Sequence, residues 1–367
     1  MKYNSFKDKK ISALGMGCMR LPVDKETGKI DYERAQEIID YAYSHGVNYF
    51  DTAYPYHGGE SEIFIGEALK KYPRESFFLA SKLPLWEVKK EEDIERIFNE
   101  QLKKCQVEYF DFYLCHAMNM TRHDEAIKYH LYDFVQRMKK EGKIRYVGFS
   151  FHDDARALEK IIKALPWDFA QIQYNYLDIK LQNSDKLRDM LNENNIPIIV
   201  MEPVRGGFLA NLADEYAAEL KAIEPDKSIA SWAIRYVVGS EGIFLTLSGM
   251  SNMDQVIDNV STVTDFKYLS ESELDKLNDI ANRIVSENYI PCTACNYCID
   301  CPKSIYISKV FRFYNEYLVH KSLGYFKECV EKYNIGSCVK CGFCKKHCPQ
   351  HIDIPKELEK INKILNQ

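Results

Sequence analysis

The hydrophobic pattern divides most of the chain into short apolar runs that alternate with stretches of helical periodicity. The apolar runs predict strands at residues 11–17, 47–50, 77–81, 110–115, 144–149, 169–172, 198–201 and 243–247. The periodic stretches predict helices at residues 31–44, 61–71, 91–105, 124–140, 153–164, 184–193, 229–238 and 253–260. Eight strand–helix alternations over roughly 250 residues are typical of a (β/α)₈ barrel.

The alternative for an alternating chain of this length is an open, doubly wound sheet. Sheets of that class that bind dinucleotides carry a Gly-rich fingerprint after the first strand. Here residues 15–20 read Gly-Met-Gly-Cys-Met-Arg, which supplies the first two glycines and not the third. The number of alternations and the incomplete fingerprint together favour the barrel.

A different pattern begins after the eighth strand–helix unit. One more helix is predicted at residues 269–286, and a proline soon afterwards breaks the periodicity. The remaining residues are rich in cysteine and aromatic side chains. We therefore predict a domain boundary near Glu287, with the barrel over residues 1–286 and a small, mainly helical domain over residues 287–367.

Composition and charge narrow the choice of partners and compartment. The chain has 367 residues and a formal net charge of -5, which gives no reason to expect a nucleic acid or an anionic membrane surface as partner. Neither a targeting segment nor an apolar stretch of about 20 residues is evident. We expect a cytoplasmic protein, and in that compartment twelve cysteines are unusual as disulfides.

Eight of the cysteines form two tight runs with the spacing of iron–sulfur ligands. The second run, Cys338-x-x-Cys341-x-x-Cys344-x-x-x-Cys348-Pro349, fits the bacterial ferredoxin pattern for [4Fe–4S] ligation. The first run is one residue shorter in its last gap and consists of Cys292, Cys295, Cys298 and Cys301. Structural zinc is the alternative, but its ligands usually come as C-x₂-C pairs separated by a longer loop. The two runs therefore predict two [4Fe–4S] clusters.

The fourth cysteine of each run stands directly before a proline. In two-cluster ferredoxins that fourth cysteine binds the cluster of the other run. Such an exchange gives one cluster on Cys292, Cys295, Cys298 and Cys348, and a second on Cys338, Cys341, Cys344 and Cys301. The shortened gap before Cys301 keeps the uncrossed arrangement open.

Polar side chains stand where barrel enzymes carry their chemistry, at the carboxyl ends of the predicted strands. Asp51, Lys82 and His116 follow strands two, three and four, and Tyr56 lies in the loop after Asp51. A neighbouring ammonium favours the phenolate and so makes tyrosine a better proton donor. The carboxylate would hold the lysine charged, and the histidine would orient a substrate carbonyl. The set suits hydride addition to a C=O group, with Tyr56 as the acid.

Four motifs surround these residues. They are Asp51-Thr52-Ala53-x-x-Tyr56, Glu60-Ser61-Glu62-x-x-x-Gly66, Ser81-Lys82 and Asp111-Phe112-Tyr113-Leu114-Cys115-His116. In this order they resemble the signature of the aldo/keto reductase family, over about residues 5–265. The resemblance implies a (β/α)₈ barrel, a nicotinamide dinucleotide held without a Rossmann domain, and a catalytic tetrad of Asp51, Tyr56, Lys82 and His116.

The same resemblance implies a set of cofactor-binding residues. They are Ser150, Gln171, Met201, Ser248, Gly249, Met250, Gln255 and Asn259. Ser150 and Gln171 stand where the family binds the nicotinamide carboxamide, and Met201 where many members stack an aromatic ring. Gly249 and Gln255 replace the lysine and arginine that many members direct at the 2′-phosphate, so NADP(H) and NAD(H) both remain open. Residues 248–259 are equally compatible with an ordinary strand–turn–helix link.

The tail resembles the helical ferredoxin modules fused to oxidoreductases, and also the tail of an iron–sulfur branch of the aldo/keto reductases. The sequence therefore predicts an NAD(P)H-dependent oxidoreductase fused to a two-cluster iron–sulfur domain. A carbonyl or alcohol would be its substrate, and a redox protein is a further candidate partner. The alternatives are a redox sensor whose barrel binds nucleotide without turnover, and an electron-transfer subunit.

Overall fold

Strands and helices alternate through most of the chain in the structure, a computed structural model that describes residues 1–287, 289–293, 296–320 and 322–366. The strands are β1 Tyr3–Phe6, β2 Lys9–Ser12, β3 Leu14–Gly17, β4 Tyr49–Asp51, β5 Phe78–Leu83, β6 Phe110–Met118, β7 Ile144–Phe151, β8 Phe169–Gln173, β9 Ile198–Met201 and β10 Ile243–Ser248. The helices are α1 Tyr32–Ser44, α2 Glu60–Leu69, α3 Glu92–Lys104, α4 Met120–Lys128, α5 Leu131–Lys140, α6 Ala155–Ala164, α7 Asp178–Leu181, α8 Ser184–Glu193, α9 Asp214–Ile223, α10 Ile229–Val238, α11 Met253–Thr264, α12 Glu271–Ser286, α13 Ile307–His320, α14 Leu323–Glu331, α15 Phe343–His347 and α16 Ile354–Leu365.

Strands β3 to β10 close into a barrel in which neighbouring strands run parallel. Their order around the barrel follows the chain, and β10 pairs with β3 to complete the ring. Every residue of β6 is buried, because helices cover a barrel strand on one side and interior side chains cover it on the other. This double burial explains why the strands are continuous apolar runs rather than alternating ones. The predicted (β/α)₈ barrel is confirmed.

A two-stranded hairpin precedes the barrel and supplies a side chain to its interior. Strands β1 and β2 pair antiparallel, and the Phe6 ring lies 5.2 Å from that of Phe112 and 4.6 Å from that of Phe244. The prediction of one strand over residues 11–17 is wrong. The segment changes partners after Ser12. Strand β2 pairs with β1 in the hairpin, whereas β3 pairs with β10 and β4 in the barrel.

Two helix predictions also need correction. The helix predicted at residues 124–140 is two helices, α4 and α5, separated at His130 by a left-handed backbone with a φ of 55°. A left-handed residue cannot continue a right-handed helix, so the apolar periodicity crosses the break without revealing it. The short helix α7 and the helix α9 were not predicted, and α9 lies between β9 and α10.

The contacts within the chain form two compact units. The first unit comprises residues 1–204 and 230–270, and therefore holds the barrel strands. The second comprises residues 205–229 and 271–367, so it begins with a segment that precedes the last barrel strand. The boundary near Glu287 stays a prediction. None of the helices in the described residues combines the length and apolar character that a membrane span needs.

The second unit has its own core and a set of internal ties. Buried aromatic and aliphatic side chains of α13, α14 and α16 form the core. In addition, Glu219 of α9 accepts hydrogen bonds from Arg283 of α12 at 2.8 Å and from Lys276 at 3.0 Å. Arg205, of which only 1% is exposed, donates to the carbonyl oxygen of Pro291 at 3.1 Å. Residues 205–229 are thus bound to the segment that leads into the first cysteine run.

Candidate active site

The four residues of the predicted tetrad converge at the carboxyl ends of three adjacent strands. Asp51 ends β4, Lys82 lies at the end of β5, and His116 lies near the end of β6. The Lys82 ammonium donates to Asp51 Oδ1 at 2.5 Å and to the carbonyl oxygen of Thr52 at 2.8 Å, and it lies 3.4 Å from the Tyr56 hydroxyl. The rings of Tyr56 and His116 meet edge to face, with centroids 6.0 Å apart. Lys82 is fully buried, and Asp51 and His116 are each 3% exposed.

The loop that presents Tyr56 depends on left-handed backbone. His57, Gly58 and Gly59 follow with φ angles of 52°, 64° and 91°. Such angles cost little at glycine and more at histidine. The two glycines therefore allow the chain to turn sharply from the phenol into helix α2, and the loop is irregular as its glycines predict.

Burial and neighbouring charges set the protonation of the site. Burial raises the pKa of Asp51 above its ordinary value, against the opposing effect of Lys82. Burial also lowers the pKa of His116 well below its ordinary value, and the positive charges of Lys82, Arg122 and His152 lower it further. The imidazole is therefore neutral near pH 7 and offers one N–H donor.

One electrostatic expectation is wrong. The sequence predicts that Lys82 favours the phenolate of Tyr56, whereas burial, followed by the charges of Asp51 and Glu202, raises the pKa of Tyr56 well above its ordinary value. Lys82 directs its short hydrogen bonds at Asp51 and Thr52 rather than at the phenol. Tyr56 consequently keeps its proton at neutral pH and is available as an acid.

Side chains beside His116 line the approach to the tetrad. The Trp86 ring lies 5.0 Å from the His116 ring, and the Arg122 guanidinium lies 4.7 Å from the Trp86 ring centroid. Nothing in the sequence singles out Arg122. That residue stands in the first turn of α4 and resembles any other charge on an amphipathic helix.

The residues expected at the nicotinamide carboxamide lie on adjacent strands. Ser150 of β7 and Gln171 of β8 are register partners. Ser150 Oγ accepts a hydrogen bond from the Ala117 backbone N–H at 2.7 Å, and Gln171 Nε2 contacts Met201 Sδ at 3.4 Å. The buried Gln171 Oε1 has no hydrogen-bond partner within the described residues. An amide fits here, because Ser150 can donate to its oxygen and Gln171 can accept from its N–H groups.

The residues expected on the adenine side are engaged with one another. Asn259 Nδ2 donates to Ser248 Oγ at 3.0 Å, and both residues are buried. Met250 is fully buried in the barrel's outer core. Gln255 Oε1 accepts from the Ser251 backbone N–H at 2.7 Å. These contacts brace the turn between β10 and α11, and they leave its backbone and the start of α11 as the surfaces that could face a ligand.

A second candidate site lies within the second unit, where two cavities are lined by cysteines. One cavity has Cys301, Cys338, Cys341 and Cys344 in its wall. The other has Cys292, Cys298 and Cys348 in its wall. The predicted ligand Cys295 lies outside the described residues. The described members of each cavity match the sets expected from an exchange of fourth ligands.

The chemistry of the cavity walls is that of thiols in an apolar setting. Burial raises the pKa of Cys344 to about 11, and the neighbouring Cys338, Cys301 and Cys341 contribute to the increase. Within the described residues, no group of three or more His, Cys, Asp or Glu is placed to hold a single metal ion. A cubane cluster makes a different demand, because each of its thiolates binds a separate iron at its own corner.

A closed parallel barrel with a buried lysine–carboxylate pair and a phenol at its carboxyl end defines a class of barrel oxidoreductases. Comparison with known proteins identifies the class. Residues 13–282 match the model of the "Aldo/keto reductase family", and the chain belongs to that family. Members of the family are oxidoreductases, and this chain is accordingly an enzyme of the aldo/keto reductase type.

Several relatives illustrate the extent of the similarity. L-galactose dehydrogenase of Arabidopsis thaliana is 26% identical in an alignment of length 281 that covers 71% of this chain and 86% of the relative. NADH-specific methylglyoxal reductase of Escherichia coli is 27% identical in an alignment of length 300 that covers 70% of this chain and 90% of the relative. The holo form of an aldo-keto reductase from Bacillus halodurans superposes with a TM-score of 0.63 at 25% identity, covering 76% of this chain and 96% of that one.

Proposed function

We propose that the protein reduces an aldehyde or ketone, with a nicotinamide dinucleotide as hydride donor and Tyr56 as general acid. The observation that carries the proposal is the buried set at the strand ends, in which Lys82 contacts Asp51 and approaches Tyr56. The bound nicotinamide would supply the hydride. The chain itself would bind the carbonyl, orient it and provide the proton.

Each side chain has a separate task in this proposal. Tyr56 carries its proton at neutral pH and would transfer it as the substrate oxygen gains negative charge. Lys82, held by Asp51, would then stabilise the phenolate that remains after the proton has moved. The neutral imidazole of His116, next to Tyr56, would donate a hydrogen bond to the same substrate oxygen.

Turnover on defined carbonyls tests the proposal. Protein purified without oxygen would be supplied with a panel of aldehydes and ketones, and the oxidation of NADH and of NADPH would be followed by absorbance. We expect turnover on at least one class of carbonyl. Nucleotide binding without turnover on any member of the panel would favour the redox-sensor alternative instead.

The side chains on the adenine side of the site bear on the preference between NADH and NADPH. Residues 249–259 contain no lysine or arginine but include Asp254 and Asp258. Arg20, whose side chain would crowd a Cβ added to Gly249, pairs with Glu202 at 3.2 Å. No side chain of this turn therefore offers a positive charge to a 2′-phosphate, and the E. coli relative is itself described as NADH-specific. We propose that NADH is accepted at least as well as NADPH.

Gln255→Arg provides a gain-of-function prediction for this turn. We expect the ratio of kcat/KM for NADPH to that for NADH to rise by about tenfold, which corresponds to ~1.4 kcal/mol, because the guanidinium adds a charge-assisted hydrogen bond to a phosphate. Gln255→Ala is the matched control, since it also removes the bond to Ser251 but adds no charge. A strong NADPH preference in the unchanged protein would contradict the proposal.

We further propose that the cysteine-lined cavities hold two [4Fe–4S] clusters. Support comes from the spacing of the two cysteine runs, from the division of the described cysteines between the cavities, and from the thiol-only donor sets. Clusters of this kind and twelve cysteines also support a reducing, cytoplasmic location.

The clusters are proposed to lie outside the carbonyl-reduction step. A nicotinamide moves two electrons together as a hydride, whereas a cluster ordinarily passes one, and a flavin usually joins the two kinds of carrier. The sequence shows no flavin fingerprint, because its only Gly-x-Gly lacks the third glycine. The clusters would then stabilise a tail with a small core or serve a redox protein partner.

The two cavities also favour one alternative function, that of an electron-transfer protein. In that case the cluster spectrum should change when NADH or NADPH is added in the absence of a carbonyl. An unchanged spectrum together with carbonyl turnover supports the separation of the two sites.

A further inference from the structure

A buried carboxylate outside the tetrad lies behind Lys82. Glu62 belongs to the second of the four sequence motifs and stands in the first turn of α2, where it is fully buried. Its Oε1 accepts hydrogen bonds from Ser81 Oγ and from Gln101 Nε2, both at 2.6 Å. Ser81 is the residue immediately before Lys82, so the carboxylate is tied to the end of β5.

Gln101 extends the contact to the lysine's own backbone. Its Nε2 lies 2.8 Å from Ser81 Oγ and 3.0 Å from the carbonyl oxygen of Lys82, and its Oε1 accepts from the Tyr113 hydroxyl at 2.5 Å. Gln101, Ser81 and Tyr113 are all fully buried. Residues from α2, α3, β5 and β6 therefore fix the backbone from which the Lys82 side chain extends.

The charge of Glu62 is also placed to act on Lys82. Burial raises the pKa of Glu62, while Ser81, Gln101, Lys104 and Lys82 oppose that increase. Lys104 stands 3.7 Å from Glu62 Oε2, an atom that accepts no hydrogen bond from the described residues. The Glu62 carboxylate therefore interacts with the positive charges of Lys104 and Lys82.

Lys82 is a fully buried lysine. A fully buried ammonium tends to lose its proton unless nearby anions favour the charged form. Asp51 supplies one anion through direct contact. We propose that Glu62 is a positioning residue for Lys82, which fixes the end of β5 and helps to keep the ammonium charged. This inference rests on the proposed catalytic role of Lys82.

A direct measurement of the Lys82 ammonium tests the inference without any substrate. Lysine labelled with ¹³C at Cε gives an NMR signal for each lysine, and the Lys82 signal is the one lost in Lys82→Met. In Glu62→Gln we expect this signal to titrate about one pH unit lower than in the unchanged protein, because a nearby negative charge has been removed. Glutamine preserves the shape and an acceptor oxygen for Ser81 and Gln101.

Turnover provides the second measurement. For an accepted carbonyl, we expect the alkaline fall of kcat in Glu62→Gln to begin about one pH unit lower, with kcat at neutral pH reduced by about tenfold, or ~1.4 kcal/mol. Glu62→Asp, which keeps the charge, should return the alkaline fall of kcat most of the way to its original pH. Asp40→Asn is the control, because it removes a carboxylate bound to Gln36, Lys71 and Tyr72 on the outside of the barrel.

The possible results separate the two proposals. An unchanged titration of Lys82 in a folded Glu62→Gln protein overturns the positioning role, even if the melting temperature falls. A shifted titration in a protein that turns over no carbonyl supports the action of Glu62 on Lys82 and removes the proposed reductase function. If Glu62→Gln fails to fold, Tyr113→Phe loosens Gln101 without removing a charge, and it should lower kcat while leaving the titration in place.

Discussion

Tyr56→Phe is expected to lower kcat on any accepted carbonyl by about 10²–10⁴-fold, the usual contribution of a positioned general acid. The substitution removes the only hydroxyl that lies both beside Lys82 and against His116 among the described residues. Nucleotide affinity should survive, because the carboxamide is expected on Ser150 and Gln171 rather than on the phenol. Steady-state kinetics and a fluorescence titration with NADH measure the two quantities separately.

Tyr54→Phe is the matched control for this prediction. Tyr54 stands two residues earlier, and its substitution likewise removes one phenolic hydroxyl. This hydroxyl donates to Glu100 at 2.9 Å, and the Tyr54 ring lies under Lys104. Its removal should leave kcat within about twofold. Near-unchanged turnover in Tyr56→Phe would show that another group supplies the proton, and would remove the tetrad assignment.

Protein prepared without oxygen is expected to contain about eight iron and eight acid-labile sulfide per chain, as two [4Fe–4S] clusters. Replacing Cys341 and Cys344 with serine should remove one cluster and leave about four iron, because both residues line the same cavity. Carbonyl reduction by this double variant should be retained, since the tetrad needs no electrons from the tail. Iron and sulfide analysis, electron paramagnetic resonance and the carbonyl assay provide the three readouts.

Two further variants distinguish crossed from uncrossed ligation of the clusters. Cys301→Ser should perturb the signal that the Cys341 and Cys344 changes abolish, and Cys348→Ser should perturb the other signal. Cys329→Ser is the control, because Cys329 lies in α14, outside both cysteine runs. Zinc in place of iron, or a single cluster in the unchanged protein, would contradict the proposal. Loss of reduction in a folded double variant that still binds NADH would show that the tail supports the active site.

The sequence predicts the barrel well because each barrel strand can be recognised on its own. A strand buried on both faces must be apolar throughout, so runs such as Phe110 to Cys115 are visible without any partner. The grouping of the candidate residues was predictable for a related reason, since Asp51, Lys82 and His116 interrupt apolar strand ends at the place where barrels carry chemistry. The contacts between Lys82, Asp51 and Tyr56 then follow from the closing of adjacent strands.

Other features depend on distances that the sequence does not contain. The raised pKa of Tyr56 results from burial and from the charges of Asp51 and Glu202, and neither effect can be read from spacing. Arg122 comes to the site by stacking over Trp86, from a helix whose pattern is ordinary. The break at His130 also leaves no sign in the sequence, because apolar periodicity continues across it.

The membership of residues 205–229 in the second unit has a consequence for how the tail can be inherited or transplanted. A ferredoxin-like domain is usually imagined as a cassette that can be joined to an enzyme at one peptide bond. Here Arg205 holds the carbonyl of Pro291, directly before Cys292, and Glu219 holds α12. A cassette cut at Glu287 would leave Arg205 behind, and it would separate α9 and α12 from the rest of the second unit. Grafting the tail onto another barrel would therefore require two separate pieces of chain, residues 205–229 and residues 271–367, to move together.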